Sequence, residues 1–216
     1  MGVEHSRAQS LPVDVDDKYE EYKKTWLQLA QKFSPPRGDS TLGITTLSRA
    51  GKFIREYFSD KSQLSILEIM AGNGRASNVV FNELKDSIEI KKWTATEMQA
   101  PEQVSGDIVI ITNCDGMEAV SKYGKDHNTL LLISPPPSTS EGGYGDYFAI
   151  KKWTELSNSE YIIFVGELGA SDGSDGMYKY MMEHPVWKCV DRKMVFSGID
   201  LFGGVIEKEL FIFRKN

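Results

Sequence analysis

The sequence predicts an α/β fold: a mostly parallel, seven-stranded, doubly wound sheet with helices on both faces, an antiparallel C-terminal strand and an N-terminal helical extension. From residue 64 onward, apolar strand-like runs alternate with helical segments, which is typical of a parallel sheet covered on both faces. The runs at 187–197 and 203–214 are instead joined by a Gly-containing turn with no room for a helix. The last strand is therefore predicted to be antiparallel to its partner.

Composition favours one intracellular domain. The 216 residues, 40% of them hydrophobic, are enough for a single substantial core. A formal net charge of −6 works against charge-driven binding to nucleic acid or anionic lipid, because either polyanion would repel the average surface. Cys114 and Cys189 lie far apart, and no leader-like or long apolar run is found near the start. These features predict a cytoplasmic location.

Two segments are predicted to precede the core. Residues 1–16 are polar and aperiodic, as in a flexible tail, and their start, MGVEHS, matches the short pattern for myristoylation of Gly2. A single acyl chain anchors a protein only marginally, so membrane binding is expected only if Gly2 is acylated. Residues 17–63 are predicted to be helical, with a break at Ser34-Pro35-Pro36 and with Thr46 as the cap of a second helix.

The remaining residues, 64–216, are predicted to form the Rossmann-like core. Apolar runs predict strands at 64–70, 88–96, 107–113, 129–134 and 160–166. Helical periodicity predicts helices at 75–85, 115–123, 146–156 and 175–183.

The stretch ILEIMAGNGRAS places a carboxylate, Glu68, inside an apolar strand. An ionised Glu there would be costly unless its oxygens met fixed donors, so Glu68 is predicted to face the loop and a polar ligand at the carboxyl end of the strand. Gly72 and Gly74 permit positive φ and close approach of a ligand just where a helix begins. The alternative is a tight turn in which Glu68 only accepts backbone hydrogen bonds.

The sequence LEIMAGNGR resembles the first motif of the class I S-adenosylmethionine-dependent methyltransferases, an acidic residue in strand one followed by a small-residue loop. In element order the resemblance covers approximately residues 46–214. It implies S-adenosylmethionine as cofactor, with its methionine part cradled by the backbone of Ala71-Gly72-Asn73-Gly74 and oriented by Glu68. Glu97, which ends the second strand, would then accept hydrogen bonds from both ribose hydroxyls, and Met98 would lie against the adenine.

The end of the third strand holds two further candidates, Asn113 and Asp115. They resemble the family's acidic-small turn that reads the adenine amino group, and either residue could accept that hydrogen bond. The alternative for Asp115 is a role as the N-cap of the next helix.

A nicotinamide dinucleotide fold is the rival within the same architecture. GNGRAS approaches the glycine fingerprint of such folds, and Glu97 lies at about the distance of their ribose-binding acid. Ser77 does not match the third small position, and this rival explains neither Glu68 nor the motif described next. We therefore expect no nicotinamide cofactor.

That motif is LLLISPPPS, in which an apolar strand ends in Ser134-Pro135-Pro136-Pro137. Because proline cannot continue a ladder and fixes φ, the strand end is predicted to be a rigid shelf with a polar side chain and unpaired carbonyls. It resembles the motif of amino-methyltransferases acting on adenine, cytosine or glutamine, in which Asp, Asn or Ser is followed by two prolines and an aromatic residue. The resemblance implies that Ser134 and the carbonyl of Pro135, on a shelf shared with Pro136, hold a target NH₂ for methylation.

The motif departs from the family at Pro137, where an aromatic residue would stack on a planar target. Tyr144 or Tyr147 is predicted to supply a substrate-binding ring instead. The helical periodicity favours another role for Tyr147, which together with Phe148 would begin the core face of the next helix.

Other chemistry is not indicated. His5, His127 and His184 are scattered and predict no metal site, and Ser134 has no evident activating base. The segment GELGASDGSDG after the fifth strand is either part of the substrate cleft or a set of turns.

Together these features predict a methyltransferase that acts on a nitrogen through proximity and carbonyl hydrogen bonds. Acidity and small size favour a protein or small-molecule substrate, whereas the proline motif favours nucleic acid. An adenine amino-methyltransferase is therefore the first alternative. A catalytically silent cofactor-binding partner subunit is the alternative from another class. The sequence does not indicate the oligomeric state.

Overall fold

The computed structural model describes residues 42–60, 63–98, 108–136, 145–167, 172–199 and 205–216. The strands in this part of the chain are β1 (Leu64–Ile69), β2 (Ile90–Thr96), β3 (Ile110–Ile111), β4 (Thr129–Ile133), β5 (Tyr161–Gly166), β6 (Trp187–Ile199) and β7 (Val205–Lys215). The helices are α1 (Ile44–Phe58), α2 (Arg75–Leu84), α3 (Gly116–Tyr123), α4 (Gly145–Glu155) and α5 (Asp175–Glu183), with a 3₁₀ turn at Gly124–Asp126.

The described strands form one seven-stranded sheet in the order β3-β2-β1-β4-β5-β7-β6. Strands β1 to β5 are parallel to one another, whereas β7 is antiparallel both to β5 and to β6. The last strand of the chain, β7, therefore lies between β5 and β6. The predicted α/β class with an antiparallel C-terminal strand is confirmed.

Alternate residues of the central strands enter two hydrophobic layers. In β1, Leu67 and Ile69 belong to the layer that contains α3, α4 and α5, whereas Leu64 and Ile66 belong to the layer that contains α1 and α2. Both faces of the strand are therefore buried, which explains why the parallel strands read as near-continuous apolar runs.

Helix α1 packs against the sheet and does not stand apart from the core. Its Ile54 and Phe58 are buried in the same layer as Leu64 and Ile66. The prediction that Thr46 caps this helix is wrong, because the N-cap is Gly43 and Thr46 is buried within the first turn. The predicted tail, Gly2 and the first helical stripe lie outside the described residues.

Strand β3 differs most from its predicted extent of 107–113, since only Ile110 and Ile111 pair with a neighbour. It lies at the edge of the sheet, where it pairs with β2 on one side, and Val109 just before it is 78% exposed. Although this segment is apolar, it is less buried than the central strands, and only two of its residues form strand pairs.

The strand order identifies where a ligand would bind. The order reverses between β1 and β4, since the chain runs outward from β1 to β2 and β3 and then returns to place β4 on the other side of β1. In open α/β sheets such a switch point leaves a crevice at the carboxyl ends of the strands, and ligands bind there.

None of the described helices is both long and apolar enough to cross a bilayer.

Candidate functional site

The loop after β1 is a compact turn at the N-terminus of α2. Gly72 and Gly74 have φ angles of 58° and 80°, in the left-handed region that favours glycine. The amide of Gly74 donates to the carbonyl of Ala71 at 3.0 Å, and the Asn73 side chain accepts from the amide of Arg75 at 3.0 Å. The sequence AGNG therefore presents main-chain groups at a helix N-terminus, where polar or anionic groups bind well.

Glu68 is fully buried in β1. Its Oε2 accepts from Trp93 Nε1 at 2.9 Å, whereas its Oε1 has no hydrogen-bond partner among the described residues. Burial raises the pKa of this carboxyl to about 7, although the nearby Ser77 hydroxyl and the Trp93 indole act to lower it. Since no backbone donor to Glu68 is found in the described chain, the alternative of a turn-stabilising carboxylate receives no support.

The unpartnered oxygen of Glu68 is unusual, because buried polar atoms are almost always hydrogen-bonded. Ser77 Oγ, at the start of α2, is also buried and also completes no hydrogen bond among the described residues. Because Ser77 lies close enough to Glu68 to lower its pKa, the two groups can satisfy each other in part, and the capacity that remains beside the glycine loop suits a polar ligand.

Glu97 follows β2 and is fixed by backbone amides. Its Oε2 accepts from the amide of Gly72 and its Oε1 from the amide of Met98, each at 2.8 Å. The carboxylate therefore connects the end of β2 to the loop after β1. A carboxylate has about four lone-pair sites, so this group can accept from several donors at once.

At the end of β3, Asn113 is exposed and has a φ of 56°. Asp115 is the N-cap of α3, and its Oδ1 accepts from the amide of Glu118 at 2.8 Å. The capping role proposed as the alternative for Asp115 is therefore present. An adenine-binding role for either residue stays a prediction.

Ser134 follows β4, on the other side of the switch point, and has a φ of 49°. Its amide donates to the carbonyl of Val165 at 2.7 Å, and its hydroxyl makes a short hydrogen bond to Asp172 Oδ1. The carbonyl of Pro135 accepts from the amide of Gly173 at 2.7 Å. The expectation of unpaired shelf carbonyls is thus wrong for Pro135, because the segment before α5 supplies a donor. Pro136 is exposed.

Asp172 belongs to a buried ionic cluster beneath this shelf. Its Oδ2 accepts from the amide of Glu167 at 2.7 Å and from Lys208 Nζ at 2.5 Å. Lys208, 7% exposed, also pairs with Glu167 Oε2 at 3.2 Å. An ion pair that excludes water this fully is costly unless its hydrogen bonds are satisfied, which these contacts achieve.

Asp146 fastens the start of α4 to the same segment. Its two oxygens accept from the amide of Ser174 at 2.6 Å, from the Ser174 hydroxyl at 2.7 Å and from the amide of Tyr147 at 2.7 Å. Burial raises the pKa of Asp146 to about 6, against the lowering effect of these hydrogen bonds. Residues 172–174 are therefore hydrogen-bonded to residues at the end of β4, in β7 and at the start of α4.

The predicted substrate residues are only partly described. Tyr147 is 7% exposed and lies in the hydrophobic core, with edge-to-face contacts to Phe148 and Tyr180. This burial favours the packing alternative over a stacking role. Tyr144 and Pro137 lie outside the described residues. Within the described ranges, no group of three or more His, Cys, Asp and Glu residues could hold a metal ion.

Asp172 and Lys208 are not among the site residues predicted from the sequence. Asp172 lies in a segment whose glycines and serines read as turns. Lys208 did leave a signal: it shares the period-two face of Leu210 and Ile212, so a strand pattern alone would direct it into the core, where a lysine requires a carboxylate partner.

The fold is similar to those of solved methyltransferases. A candidate RNA methyltransferase from Pyrococcus horikoshii, 12% identical, aligns over 89% of this chain and 98% of its own with a TM-score of 0.50. A candidate class I S-adenosylmethionine-dependent methyltransferase from Listeria monocytogenes, 13% identical, aligns over 91% and 68% with a TM-score of 0.53. A candidate sarcosine dimethylglycine methyltransferase from Galdieria sulphuraria, 11% identical, aligns over 79% and 85% with a TM-score of 0.51.

No protein-family model matches the chain, and no curated protein matches it in sequence. At identities of 11–13% the structural similarity establishes the Rossmann-like fold of these enzymes and leaves the chemistry to be argued from the site itself.

Proposed function

We propose that the protein is an S-adenosylmethionine-dependent methyltransferase that transfers the methyl group to a nitrogen atom. The observation that supports this best is the arrangement at the carboxyl ends of β1 and β2. There a buried carboxylate with an unpartnered oxygen, Glu68, adjoins a left-handed glycine loop, and the loop amide of Gly72 holds the second carboxylate, Glu97.

These residues fit the cofactor. When bound, S-adenosylmethionine supplies an electrophilic methyl group together with an ammonium, a carboxylate and two ribose hydroxyls to be recognised. Glu68 provides a buried acceptor suited to a cationic donor, and Glu97 provides a carboxylate suited to paired hydroxyls. The Ala71–Gly74 backbone permits close approach at the N-terminus of α2.

The choice of nitrogen as target atom rests on Ser134 and Pro135, which follow β4 across the switch point from this loop. A hydroxyl oxygen and a carbonyl oxygen on adjacent residues can accept hydrogen bonds from one amino or amide group. Acceptance of these bonds would orient the nitrogen lone pair toward the cofactor side of the crevice. A protein or small-molecule substrate agrees best with the net charge of −6, and nucleic acid is the alternative substrate class.

A catalytically silent cofactor-binding subunit is the second candidate function. It is favoured by one observation: the Ser134 hydroxyl and the Pro135 carbonyl both have partners inside the protein, Asp172 and Gly173. In that case the contacts would serve only to hold the segment before α5 against the sheet.

Two measurements test the proposal. Calorimetry should detect binding of S-adenosylmethionine and S-adenosylhomocysteine, and no binding of NAD or NADP. Methyl-labelled cofactor incubated with cell extract should then label a fraction that survives nuclease and is lost with protease, or a small-molecule fraction. Label lost with nuclease would instead favour the nucleic-acid alternative. Cofactor binding with no labelled fraction would favour the silent subunit, and dinucleotide binding alone would refute the cofactor assignment.

A further inference from the structure

The two groups proposed to hold the target nitrogen are bound by two consecutive residues of a distant segment. The Ser134 hydroxyl donates to Asp172, and the carbonyl of Pro135 accepts from the amide of Gly173. These contacts join positions 38 residues apart, so they are formed only when the segment before α5 lies against the end of β4.

Asp172 is itself fixed from several directions. It is 3% exposed, and its second oxygen is held by Lys208 Nζ and by the amide of Glu167. Gly166 permits this approach, because a Cβ on Gly166 would lie 2.8 Å from the Asp172 Cβ. The carboxylate oxygen that faces Ser134 is thus placed by the end of β5 and by β7.

This arrangement determines which hydrogen bonds Ser134 can make. A hydroxyl has one proton to donate, and an ionised carboxylate can only accept. Since the proton of Ser134 is directed to Asp172, any further hydrogen bond to the Ser134 oxygen must be one that it accepts. The hydroxyl then presents to a substrate the same polarity as a carbonyl oxygen.

We propose that Asp172 is a positioning residue for methyl transfer: it commits the Ser134 hydroxyl as an acceptor for an N–H of the methyl-accepting group. This inference rests on the proposed function and deepens it, because it requires a target that donates a hydrogen bond. It also explains how a serine serves where a side-chain carbonyl would otherwise be needed. Lys208 holds Asp172 in the orientation required, and neither residue needs to touch the substrate.

Asp172→Asn tests the polarity directly. Lys208 and the amide of Glu167 both donate to one side of the group, so the new amide should place its oxygen toward them and its NH₂ toward Ser134. Ser134 would then accept from the amide, and its own proton would face outward. We expect kcat for methylation of the labelled fraction to fall about 10- to 100-fold, with cofactor affinity within about twofold of wild type. Asp175→Asn, the same change at an exposed position of α5, is the matched control and should keep the wild-type rate.

A double-mutant cycle separates this role from general support of the fold. In a Ser134→Ala background, Asp172→Asn should lower kcat by less than about twofold, because the group through which Asp172 acts is absent. A purely structural role would lower kcat by the same factor in both backgrounds, which would overturn the inference. A wild-type rate in Asp172→Asn alone would overturn it as well.

Ser134→Asn is a second variant that leaves the ionic cluster intact. Asn tolerates the left-handed backbone at this position and brings its own carbonyl oxygen, so its rate should stay within about tenfold of wild type and above that of Ser134→Ala. If Ser134→Asn is as slow as Ser134→Ala, an acceptor is not what the site requires.

A wild-type protein that binds the cofactor but labels no fraction refutes the proposed function and this inference together. The variant results above refute the inference alone.

Discussion

Replacement of Glu68 by glutamine should stabilise the cofactor-free protein at alkaline pH. Burial raises the pKa of Glu68 from an ordinary 4.5 to about 7. At 1.36 kcal/mol for each pH unit, ionisation of this buried carboxyl destabilises the folded protein by about 3 kcal/mol at pH 8. Glutamine is neutral and nearly isosteric, and its oxygen can still accept from Trp93 Nε1. We therefore expect Glu68→Gln to raise the free energy of unfolding at pH 8 by up to about 3 kcal/mol.

The sign of the pH dependence follows from where the proton binds more tightly. A carboxyl whose pKa is higher in the folded state stabilises the fold fully below pH 4.5, and that contribution is lost as the pH rises through 7. Asp146 contributes in the same direction between its ordinary pKa of 3.8 and its folded pKa of about 6. The stabilisation from these two carboxyl groups should thus decrease from pH 4.5 to 8, whereas His127, whose pKa is lowered by burial, contributes in the opposite direction. Glu68→Gln should remove the pH-dependent contribution of Glu68 alone.

Urea denaturation at pH 5, 6, 7 and 8 provides the measurement. The stability gain of Glu68→Gln over wild type should increase with pH across this series. Glu56→Gln, at an exposed position of α1, is the control and should track the wild type at each pH. A gain that does not depend on pH, or a variant less stable than wild type at pH 8, would refute the assignment of Glu68 as a buried carboxyl with a raised pKa.

The same substitution should act in the opposite direction on cofactor binding. If the carboxylate orients the cofactor's ammonium, loss of a charge-assisted hydrogen bond should weaken S-adenosylmethionine binding by about 1.5 to 3 kcal/mol. Calorimetry at pH 8 measures this directly. A variant that is both more stable and equally strong in cofactor binding would show that Glu68 does not contact the cofactor.

Three further predictions concern the loop, the ribose carboxylate and the shelf. Glu97→Ala should weaken S-adenosylmethionine binding by about 1.5 to 3 kcal/mol in calorimetry, and an unchanged affinity would exclude a ribose contact. Gly74→Ala should lower the free energy of unfolding in urea by about 1 to 2 kcal/mol, because alanine is strained at a φ of 80°; a neutral result would contradict the left-handed turn. Ser134→Ala should leave cofactor affinity unchanged while it lowers single-turnover methylation about ten- to a thousandfold, and a wild-type rate would make the shelf purely structural.

The fold was predictable because each strand and helix is specified by its own local pattern. The run around Leu64–Ile69 is apolar on both faces, and the two final strands have no sequence between them that could form a crossover helix. Boundaries were less certain where local signals compete. At α1, Thr46 is a good capping residue by type, but the helix begins earlier, at Ile44, and buries the threonine. At β3, an apolar edge segment pairs over two residues only.

The sequence predicts the candidate site only where its residues lie close together along the chain. Glu68 directly precedes the glycine loop, and Glu97 follows the very next strand, so the residue types along this short stretch already suggest a polar ligand. The contacts around the shelf are different in kind, because Asp172 meets Ser134 from 38 residues away and Lys208 from 36. No local pattern encodes such pairings. They result from the insertion of β7 beside β5, which brings an inward-facing lysine under the end of β4.

Backbone strain provides a further reason to place function at this edge of the sheet. Met70, Asn113 and Ser134 follow β1, β3 and β4, and all three have φ between 49° and 59°, where residues other than glycine are uncommon. Each such residue costs on the order of 1 kcal/mol and persists only if neighbouring bonds enforce it. Those bonds are present: Ala71 donates to Thr96 at 3.0 Å, Cys114 to Glu97 at 3.2 Å and Ser134 to Val165 at 2.7 Å. A chain selected for stability alone would favour glycine or asparagine at such turns, and of these three positions only Asn113 has one of them. Of the four residues other than glycine that have positive φ in the described part of the chain, three lie at this edge of the sheet, and only Gln63, just before β1, does not. This distribution agrees with the proposed site, where side chains and main-chain groups would be held in fixed positions toward a ligand.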